Sequence, residues 1–443
     1  MRQQDEMWTY HPDLLATPVP RYTSYPTAAE FAEIPAEAYR QALEGARGEI
    51  SLYVHIPFCE KICFYCGCNT GKSNRRQRME SYLAALHREI ETVAQLLPGG
   101  VRVGRIAFGG GSPNAITPAD FRALFRTLEE RFTLEDPVLS IELDPRTMDR
   151  EWAGVVGEIG ITRASLGVQT FAHHCQEAIG RVQSEDCIVQ TVDWLREAGI
   201  ASLNFDLMYG LPGQTLRDLD DSLKRTRVLG ADRIALFGYA HVPHLVPRQR
   251  VIDDSQLPDQ ADRFAMAEFG YAYLVTHGYA AIGFDHFAKP GRDPLARAAF
   301  AQTLRRNFQG FTDDQSSTLI GLGASAISRF DHLLVQNERN SGRYRMLASE
   351  GLLPANRGVQ RDADDRYRAS IIERLLCQGT ARIGSRLMRA NYHRLAPFVE
   401  RGLAFVDGEW LQILPEGLPY SRSVAAIFDG YREDSARRFS SAV

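Results

Sequence analysis

The sequence predicts an α/β fold in which six strand–helix units form a partial, TIM-like (β/α)6 barrel, followed by a smaller, mainly helical domain. Two observations support this prediction. Between residues 50 and 238, short apolar runs alternate with helical patterns, as in right-handed βαβ units with parallel strands. Polar or charged residues follow nearly every apolar run, and a barrel gathers such strand ends at one mouth. Periodicity alone does not distinguish a barrel from an open, doubly wound sheet.

The apolar runs and their spacing define the individual elements of the barrel. Six short runs are predicted to be strands, at residues 51–56, 105–108, 138–143, 163–168, 202–207 and 233–237. The clearest helix spans 79–97, where Met79, Leu86 and Val93 belong to one apolar stripe. Further helices are predicted at 118–132, 185–198 and 216–229, and one more helix and strand at 271–278 and 280–284. The glycine-containing stretches 307–312 and 319–328 are predicted to be loops.

The segments on either side of the barrel have different patterns. Residues 1–46 have no strong period and are predicted to be an arm, in which the proline-bounded stretch 20–26 extends over the surface. Residues 47–345 form the main domain, with a boundary expected near 341–350. Residues 346–443 are predicted to contain helices at 362–377, 392–400 and 424–431 and a hairpin at 403–414, which is typical of a winged-helix-like module. No basic stripe accompanies it, so we do not expect it to bind DNA.

Composition excludes several classes of protein. The chain has 443 residues, 44% of them hydrophobic and 24% charged, and a net charge of −4, which favours neither nucleic acid nor an anionic membrane as a partner. We find no apolar run long enough to span a bilayer and no signal peptide in residues 1–10. Four of the seven cysteines fall between Cys59 and Cys68, unlike a disulfide framework, so we expect a reducing, cytoplasmic location.

The cysteine loop after the first predicted strand is the main candidate for chemistry. Cys59, Cys63 and Cys66 have the spacing C-x3-C-x2-C, and three thiolates suit either zinc or an iron–sulfur cluster. Structural zinc takes four ligands, and Cys68 or His55 would have to be the fourth. A four-iron cluster normally takes four thiolates, so binding by three alone leaves one iron open to a small molecule.

The ends of the later strands carry groups that suit a nucleoside with an amino-acid side chain. The glycine-rich stretch consists of Gly109, Gly110 and Gly111, followed by Ser112. Its glycines have no side chains that would keep a ligand away from the backbone. Arg181 is suited to binding a carboxylate through two hydrogen bonds. Gln169 and Asp206 are suited to binding ribose hydroxyls, and the backbone near Ala240 is suited to facing an adenine. Glu142 lies at the end of the third predicted strand. Each of these residues is also compatible with an ordinary polar group at a strand end.

These motifs resemble those of a known family. The three-cysteine loop with the glycine-rich stretch is similar to radical S-adenosylmethionine (SAM) enzymes. Over about residues 20–430 the chain resembles the oxygen-independent coproporphyrinogen III oxidases (dehydrogenases). The motifs that support this are residues 53–59, 66–69, 109–113, 210–212, 239–241, 285–287, 307–310 and 325–328, together with the arm at 21–26.

The resemblance implies a fold, a reaction and two cofactors. The fold is the radical SAM barrel, with 47–345 as its catalytic domain. A four-iron cluster on Cys59, Cys63 and Cys66, with two molecules of SAM, would generate a deoxyadenosyl radical that removes hydrogen from a propionate. Two propionates of coproporphyrinogen III would become vinyl groups, giving protoporphyrinogen IX in haem biosynthesis. The resemblance also implies an external low-potential electron donor such as a flavodoxin system. It leaves the electron acceptor open, and we expect a monomer.

The resemblance also implies roles for individual residues. Tyr53 would pack beside the cluster and the sulfonium, and Cys68 would not be a ligand. The glycine-rich stretch would hold the methionine end of the first SAM, whose site would be lined by Glu142, Gln169, Arg181, Asp206 and Ala240. Phe308, Gln309 and Ile327 match positions linked to the second SAM or the substrate. We place Tyr53, Glu142, Phe308 and Gln309 in the catalytic group.

The substrate carries four carboxylates, so cations are expected to gather near it. The candidates are Arg21, Lys72, Arg75, Arg76, Arg78, Arg248, Arg250, Arg305 and Arg306. Two alternative functions remain within similar folds, a haem-trafficking chaperone and a radical haem-degrading enzyme. The Cys-x-Cys ending at Cys68, the N-terminal arm and the stretch 307–312 favour the oxidase over the chaperone.

Overall fold

The computed structural model describes residues 7–73 and 75–432. The expectations for residues 1–6 and 433–443 fall outside the described residues. In the described part of the chain the strands are β1 (Ala32–Glu33), β2 (Glu49–Ile56), β3 (Phe58–Cys59), β4 (Gly71–Lys72), β5 (Arg102–Gly110), β6 (Leu134–Leu143), β7 (Arg163–Gln169), β8 (Ser202–Tyr209), β9 (Arg233–Gly238), β10 (Ala280–Ile282), β11 (His286–Ala288), β12 (Arg305–Asn307), β13 (Gly310–Thr312), β14 (Thr318–Leu322), β15 (Ile327–Arg329), β16 (Leu333–Asn337), β17 (Ala355–Gln360), β18 (Thr380–Arg382), β19 (Ala404–Asp407) and β20 (Trp410–Ile413).

The helices of the same residues alternate with these strands. They are α1 (Pro12–Leu15), α2 (Ala36–Glu44), α3 (Arg76–Leu96), α4 (Pro118–Arg131), α5 (Arg150–Ile159), α6 (His173–Ala178), α7 (Glu185–Glu197), α8 (Leu216–Val228), α9 (Gln260–Thr276), α10 (Pro294–Phe300), α11 (Ser341–Ser349), α12 (Ala363–Gln378), α13 (Ser385–Glu400) and α14 (Ser421–Ala425).

The core of the fold is a run of parallel strands in chain order. β2, β5, β6, β7, β8 and β9 are neighbours in that order, each followed by a helix, and all six predicted strands are confirmed. The arc stays open among the described strands, because β9 pairs with antiparallel β11 and β2 pairs with β14. This is a partial (β/α)6 barrel, as predicted. Since all six strands run the same way, their carboxyl ends meet at one edge.

Two stretches that were predicted to be loops are strands. β14 adds to the barrel parallel to β2, and β15 turns back antiparallel to it. The glycine at 321 misled the prediction, because its role is close packing: a Cβ there would lie 2.7 Å from the carbonyl oxygen of Ile327. The stretch at 307–312 is the β12–β13 hairpin, with Asn307 opposite Gly310.

Most of the predicted helices agree with the structure, but several described helices were not predicted, among them α2, α5, α6, α10 and α11. The α5 helix shows why. It lies between β6 and β7, begins where Asp149 accepts a hydrogen bond from the backbone of Trp152, and ends at Gly160 with a left-handed φ of 78°. Two internal glycines weaken its helical pattern in the sequence. Its buried face still includes Val155 and Val156, which pack in the main core.

The N-terminal arm is buried, which corrects its predicted place on the surface. Tyr22 and Tyr25 are only 4% and 5% exposed, and they share a second core with α12, α13 and α14. The Tyr22 hydroxyl donates a hydrogen bond of 2.9 Å to Asp429, and the Tyr25 hydroxyl accepts one of 3.0 Å from the backbone of Gly430. Large aromatic side chains gain more from burial than from an exposed position.

The C-terminal region has the predicted hairpin, β19–β20, with β18 added as a third strand. The last helix is shorter than predicted: α14 gives way to a 3-10 turn at Ala426–Phe428, because the Asp429 side chain accepts a hydrogen bond from the backbone of Tyr431 and ends the turn. Among the described helices, none combines the length and the apolarity that crossing a membrane requires.

Candidate active site

A cavity of about 510 Å³ lies at the carboxyl ends of the parallel strands. The cysteine loop covers one side of it, and the loops after β5 to β9 form the rest. Of the sixteen residues assigned to the cluster, to SAM or to catalysis, eleven line it: Cys59, Cys63, Cys66, Gly110, Gly111, Ser112, Glu142, Gln169, Arg181, Asp206 and Ala240. Five do not: Tyr53, Gly109, Phe308, Gln309 and Ile327.

The cysteine loop is held by backbone hydrogen bonds to its neighbours. Phe64 donates to the carbonyl of Ile179 at 2.9 Å, and Ser73 donates to that of Cys59 at 3.0 Å. The glycine-rich stretch is tied to the start of the same loop, because Gly111 donates to Ile56 at 2.8 Å and Ser112 donates to Phe58 at 2.7 Å. The two predicted motifs therefore form one structural unit.

The spacing of the thiols tests the zinc alternative. A tetrahedral zinc site needs ligand atoms within about 4 Å of one another, since each zinc–sulfur bond is about 2.3 Å. Among the described residues, only His174, Cys175 and Asp218 bring three candidate ligand atoms within 4.8 Å, and they are not in the cysteine loop. Among the described residues the loop thiols are therefore not gathered as a zinc site requires, and in a cluster each thiol would bind a different iron.

The other two candidates for a fourth zinc ligand have partners of their own. The ring of His55 lies with Nδ1 3.1 Å from the Tyr53 hydroxyl and Nε2 3.4 Å from the carbonyl of Asn69. The backbone of Cys68 donates to the sulfur of Cys66 at 3.4 Å. A hydrogen bond from the Cys68 thiol lowers the pKa of Cys66 to about 6, while burial raises that of Cys59 to about 12.

Two arginines support one of the cysteines. Arg181 donates to the sulfur of Cys63 at 3.3 Å, and Arg146 donates to it at 3.5 Å. Asp144 lies between the two guanidinium groups, 2.6 Å from Arg146 and 3.3 Å from Arg181. Sequence reasoning expected Arg181 to bind a carboxylate of the ligand and did not identify Arg146. The two charged donors therefore hold the Cys63 side chain in place at the wall of the cavity.

Two acidic side chains lie side by side in the wall of the cavity. Burial and the neighbouring Asp206 together raise the pKa of Glu142 to about 7, while the backbone of Gly110 donates a hydrogen bond of 3.2 Å to Glu142. Burial also raises the pKa of Asp206, which accepts hydrogen bonds from Ser165 at 2.9 Å and Asn204 at 2.8 Å. At neutral pH this pair is therefore able to donate as well as accept hydrogen bonds.

The glycines serve packing as much as ligand access. A Cβ at Gly109 would lie 2.7 Å from the Glu142 carboxylate, and one at Gly111 would lie 2.4 Å from the backbone oxygen of Phe58. At Gly110, φ is 111° and a Cβ would meet the His55 ring. Gln169 has a left-handed φ of 66°, an unusual conformation for a side chain that lines the cavity.

A second cavity of about 310 Å³ adjoins the first inside the barrel. Glu142, Ser165 and Asp206 line both, so the acidic pair forms part of the wall between them. Gln309 lines the second cavity from the β12–β13 turn, next to Asn307. Phe308 lies in the same turn, and Ile327 begins β15.

Of the nine cationic candidates, Arg21 alone lines the main cavity, where its guanidinium donates to the carbonyl of Gly238 at 2.9 Å. Arg248 donates to Thr70 at 3.3 Å near the cavity rim. Arg305 is paired with Glu373 at 2.8 Å, and Arg76 with Glu80 at 2.7 Å. The remaining candidates do not line the main cavity: Lys72, Arg75, Arg78, Arg250 and Arg306.

Comparison with known proteins identifies relatives of similar length. The model of the radical SAM superfamily matches residues 53–226. An oxygen-independent coproporphyrinogen III oxidase of Bradyrhizobium diazoefficiens is 40% identical over 438 residues, covering 96% of this chain and 97% of that protein. The protein of the same name in Escherichia coli is 37% identical, with 94% of each covered. A solved structure of coproporphyrinogen III oxidase (HemN) from Escherichia coli, described as a radical SAM enzyme, matches with a TM-score of 0.89 and 35% identity over 96% of this chain and all of that one.

Proposed function

The chain belongs to the oxygen-independent coproporphyrinogen III oxidases of the radical SAM superfamily, and from that membership we propose its reaction and the residues that serve it. It converts coproporphyrinogen III to protoporphyrinogen IX in haem biosynthesis. Two propionates become vinyl groups, and each loses a hydrogen from its β-carbon, one carbon dioxide and one electron. The observation that supports this most strongly is the single cavity that joins the cysteine loop to the strand-end residues.

The family uses a four-iron cluster and SAM, and the donors in this chain fit both. Cys59, Cys63 and Cys66 would hold the cluster, because they line one cavity together with the glycine-rich stretch. Together, the cluster and SAM supply one-electron chemistry able to remove hydrogen from an unactivated carbon. Arg146 and Arg181 would stabilise the negative charge on Cys63 through the hydrogen bonds described above.

The acidic pair and its neighbours would hold the first SAM. Glu142, with its raised pKa, and Asp206 lie where they can bind hydroxyl or amino groups. Gln169 would add a further contact, and the backbone at Ala240 would lie against the adenine. Gly110, Gly111 and Ser112 would bind the methionine end. Arg181 would act mainly through Cys63 and Asp144, since its nitrogens already bond there.

The second cavity supports a place for a second SAM molecule. It is separate from the first, and the two share the acidic pair as a wall. Gln309 lines it, and the family resemblance assigns Phe308 and Ile327 to the same site. Tyr53, which holds His55 at 3.1 Å, would keep the strand end beside the cluster in place.

Partners and location follow from the same membership. We propose a cytoplasmic monomer that takes electrons from a low-potential donor such as a flavodoxin system, without nucleic acid as a partner. Free thiols at all seven cysteines fit a reducing compartment. We also propose that residues 47–345 catalyse the reaction, and that the described parts of the arm at 1–46 and of the region 346–443 pack together beside this domain.

Product analysis tests this function. The protein is purified and reconstituted without oxygen, reduced with dithionite, and supplied with SAM and coproporphyrinogen III. We expect protoporphyrinogen IX, detected after oxidation by its absorption and mass, with loss of two carbon dioxides. Stoichiometric binding of haem without decarboxylation would instead identify a chaperone and refute the proposal, as would cleavage of haem.

A further inference from the structure

Three side chains outside both cavities bring a nitrogen, a sulfur and an oxygen together. His174 and Cys175 belong to the first turn of α6, and Asp218 belongs to the first turn of α8. Their ligand atoms all lie within 4.8 Å of one another, and among the described residues no other group of three or more His, Cys, Asp or Glu side chains does so. None of the three lines the main or the second cavity. We call them the His–Cys–Asp group.

The distances within the His–Cys–Asp group suit a tetrahedral zinc ion. Nε2 of His174 lies 3.3 Å from the sulfur of Cys175 and 3.6 Å from Oδ2 of Asp218. Zinc bonds of about 2.0–2.3 Å at tetrahedral angles place neighbouring ligand atoms about 3.3–3.6 Å apart. An imidazole nitrogen, a thiolate and a carboxylate oxygen are also the ligands that zinc takes in proteins. Both the spacing and the chemistry of the group therefore favour zinc.

Hydrogen bonds alone do not account for this convergence. Nε2 of His174 also lies 3.3 Å from the carbonyl oxygen of Gly213, so it has three neighbours. An imidazole nitrogen carries at most one proton and can donate to only one of these neighbours at a time. Both distances to oxygen exceed the usual length of an N–H···O hydrogen bond, which is about 2.9–3.0 Å. A cation between these atoms would contact all of them at once.

The carboxylate and the thiol are held in place by the surrounding chain. The hydroxyl and the backbone N–H of Thr215 both donate to Oδ2 of Asp218, at 2.6 Å and 2.8 Å, and this capping box fixes the start of α8. The thiol of Cys175 is fully buried and lies 3.7 Å from the carbonyl oxygen of Pro212. Two of the three ligands are therefore ordered before an ion arrives, which lowers the entropic cost of binding it.

The third ligand lies at the surface, which gives an ion a way in. The side chain of His174 is 55% exposed and that of Asp218 is 21% exposed. The fourth position of a tetrahedral ion would be filled by water or by the carbonyl oxygen of Gly213, which is already beside Nε2. Three protein ligands and one water are a common zinc environment.

We propose that the His–Cys–Asp group binds one zinc ion, separate from the iron–sulfur cluster. The ion would join the start of α8 to α6. Beyond α6 the chain supports the cysteine loop, because the carbonyl of Ile179 accepts a hydrogen bond of 2.9 Å from Phe64, and Arg181 donates to the sulfur of Cys63. Zinc would therefore stabilise the segment on which the cysteine loop rests. This site does not depend on the function proposed above.

Zinc titration of the holoenzyme tests the proposal. The protein is first reconstituted with iron and sulfide without oxygen, so that the cysteine loop is filled, and then competes with a chromogenic chelator for zinc. We expect one tightly bound zinc ion per chain, and affinity at least about 100-fold lower in His174→Gln and in Cys175→Ala, since even the loss of a group behind a ligand costs 10- to 100-fold. His173→Gln is the matched control and should bind normally, because His173 is the neighbour of His174 on α6 but pairs with Glu177 at 3.4 Å.

X-ray absorption at the zinc edge identifies the ligands. We expect one sulfur at about 2.3 Å and three nitrogen or oxygen atoms at about 2.0–2.2 Å. Three sulfurs would place the ion in the cysteine loop and refute the proposal. A holoenzyme that takes no zinc from the chelator would refute it too, as would affinities of His174→Gln and His173→Gln within about threefold of each other. Because His174 is exposed, its variant gives a decisive result even if Cys175→Ala fails to fold.

Discussion

Replacing Arg181 by methionine tests the support of the cysteine loop most directly. Arg181 and its partner Asp144 have side chains only 8% and 9% exposed. Arg181 also donates to the sulfur of Cys63 and, through two nitrogens, to the carbonyl of Gly167. Removing one member of a buried ion pair typically costs about 3–5 kcal/mol. We expect about 3 kcal/mol for this change, because Asp144 keeps Arg146 at 2.6 Å.

The measurement is the free energy of unfolding of the metal-free protein in urea, so that cofactor binding does not contribute. Arg150→Met is the control: Arg150 is paired with Glu197 at 3.6 Å, with side chains 77% and 65% exposed, and its loss should cost less than about 0.5 kcal/mol. Reconstituted Arg181→Met should also lose iron faster than the unaltered protein. A cost below about 1 kcal/mol with normal iron retention would show that Arg181 does not stabilise the cysteine loop.

Three further predictions concern the ligands, a buried acid and the glycine-rich stretch. Replacing Cys59, Cys63 or Cys66 by serine should abolish iron binding, whereas the Cys68→Ser variant should retain it, as measured by iron content and absorption. Equal loss of iron from all four variants would contradict the ligand assignment. Burial raises the pKa of Glu89 to about 7, so the carboxyl group binds its proton more tightly in the folded state than in the unfolded state. The resulting contribution to the free energy of unfolding, about 3 kcal/mol, should be present below about pH 4.5 and lost as the pH rises through 7. If a Glu89→Gln variant keeps this pH dependence in urea titrations, another group is responsible for it. Gly111→Ala should destabilise the protein by about 1–3 kcal/mol, because its Cβ would meet the backbone oxygen of Phe58. Gly154→Ala in α5 has open space around it and should stabilise the protein by about 0.5–1 kcal/mol in thermal unfolding. Equal effects of the two substitutions would contradict the packing argument.

The fold was largely predictable because its signals are local. Each barrel strand is a short apolar run that ends in polar residues, and each of the predicted helices α3, α4, α7 and α8 has one apolar face. The errors fall where a glycine or a short pattern has a tertiary cause. Gly321 allows β15 to pack closely against its antiparallel partner β14, and nothing in the neighbouring sequence shows that pairing. The buried arm depends on contacts such as that of Tyr22 with Asp429, more than 400 residues along the chain.

The site was predictable as a set of residues and less so as a set of contacts. Motif spacing singled out the cysteines, the glycines and the strand-end polar residues, eleven of which line one cavity. It did not show that Arg181 and Arg146 would both reach Cys63, or that Glu142 and Asp206 would separate two cavities. Arg146 had no sequence signal, because isolated arginines are common on protein surfaces.

The sequence by itself determined the succession of strands and helices, the family and the chemical groups available, since periodicity and motif spacing are properties of neighbouring residues. Only the tertiary structure decided which charges are buried together and therefore what they do. Burial makes Glu142 a group able to hold a proton at neutral pH, and convergence from separate segments brings Arg146 and Arg181 to the sulfur of Cys63. Electrostatic energies depend on distance through space and on exclusion of water, and neither is written in the order of residues.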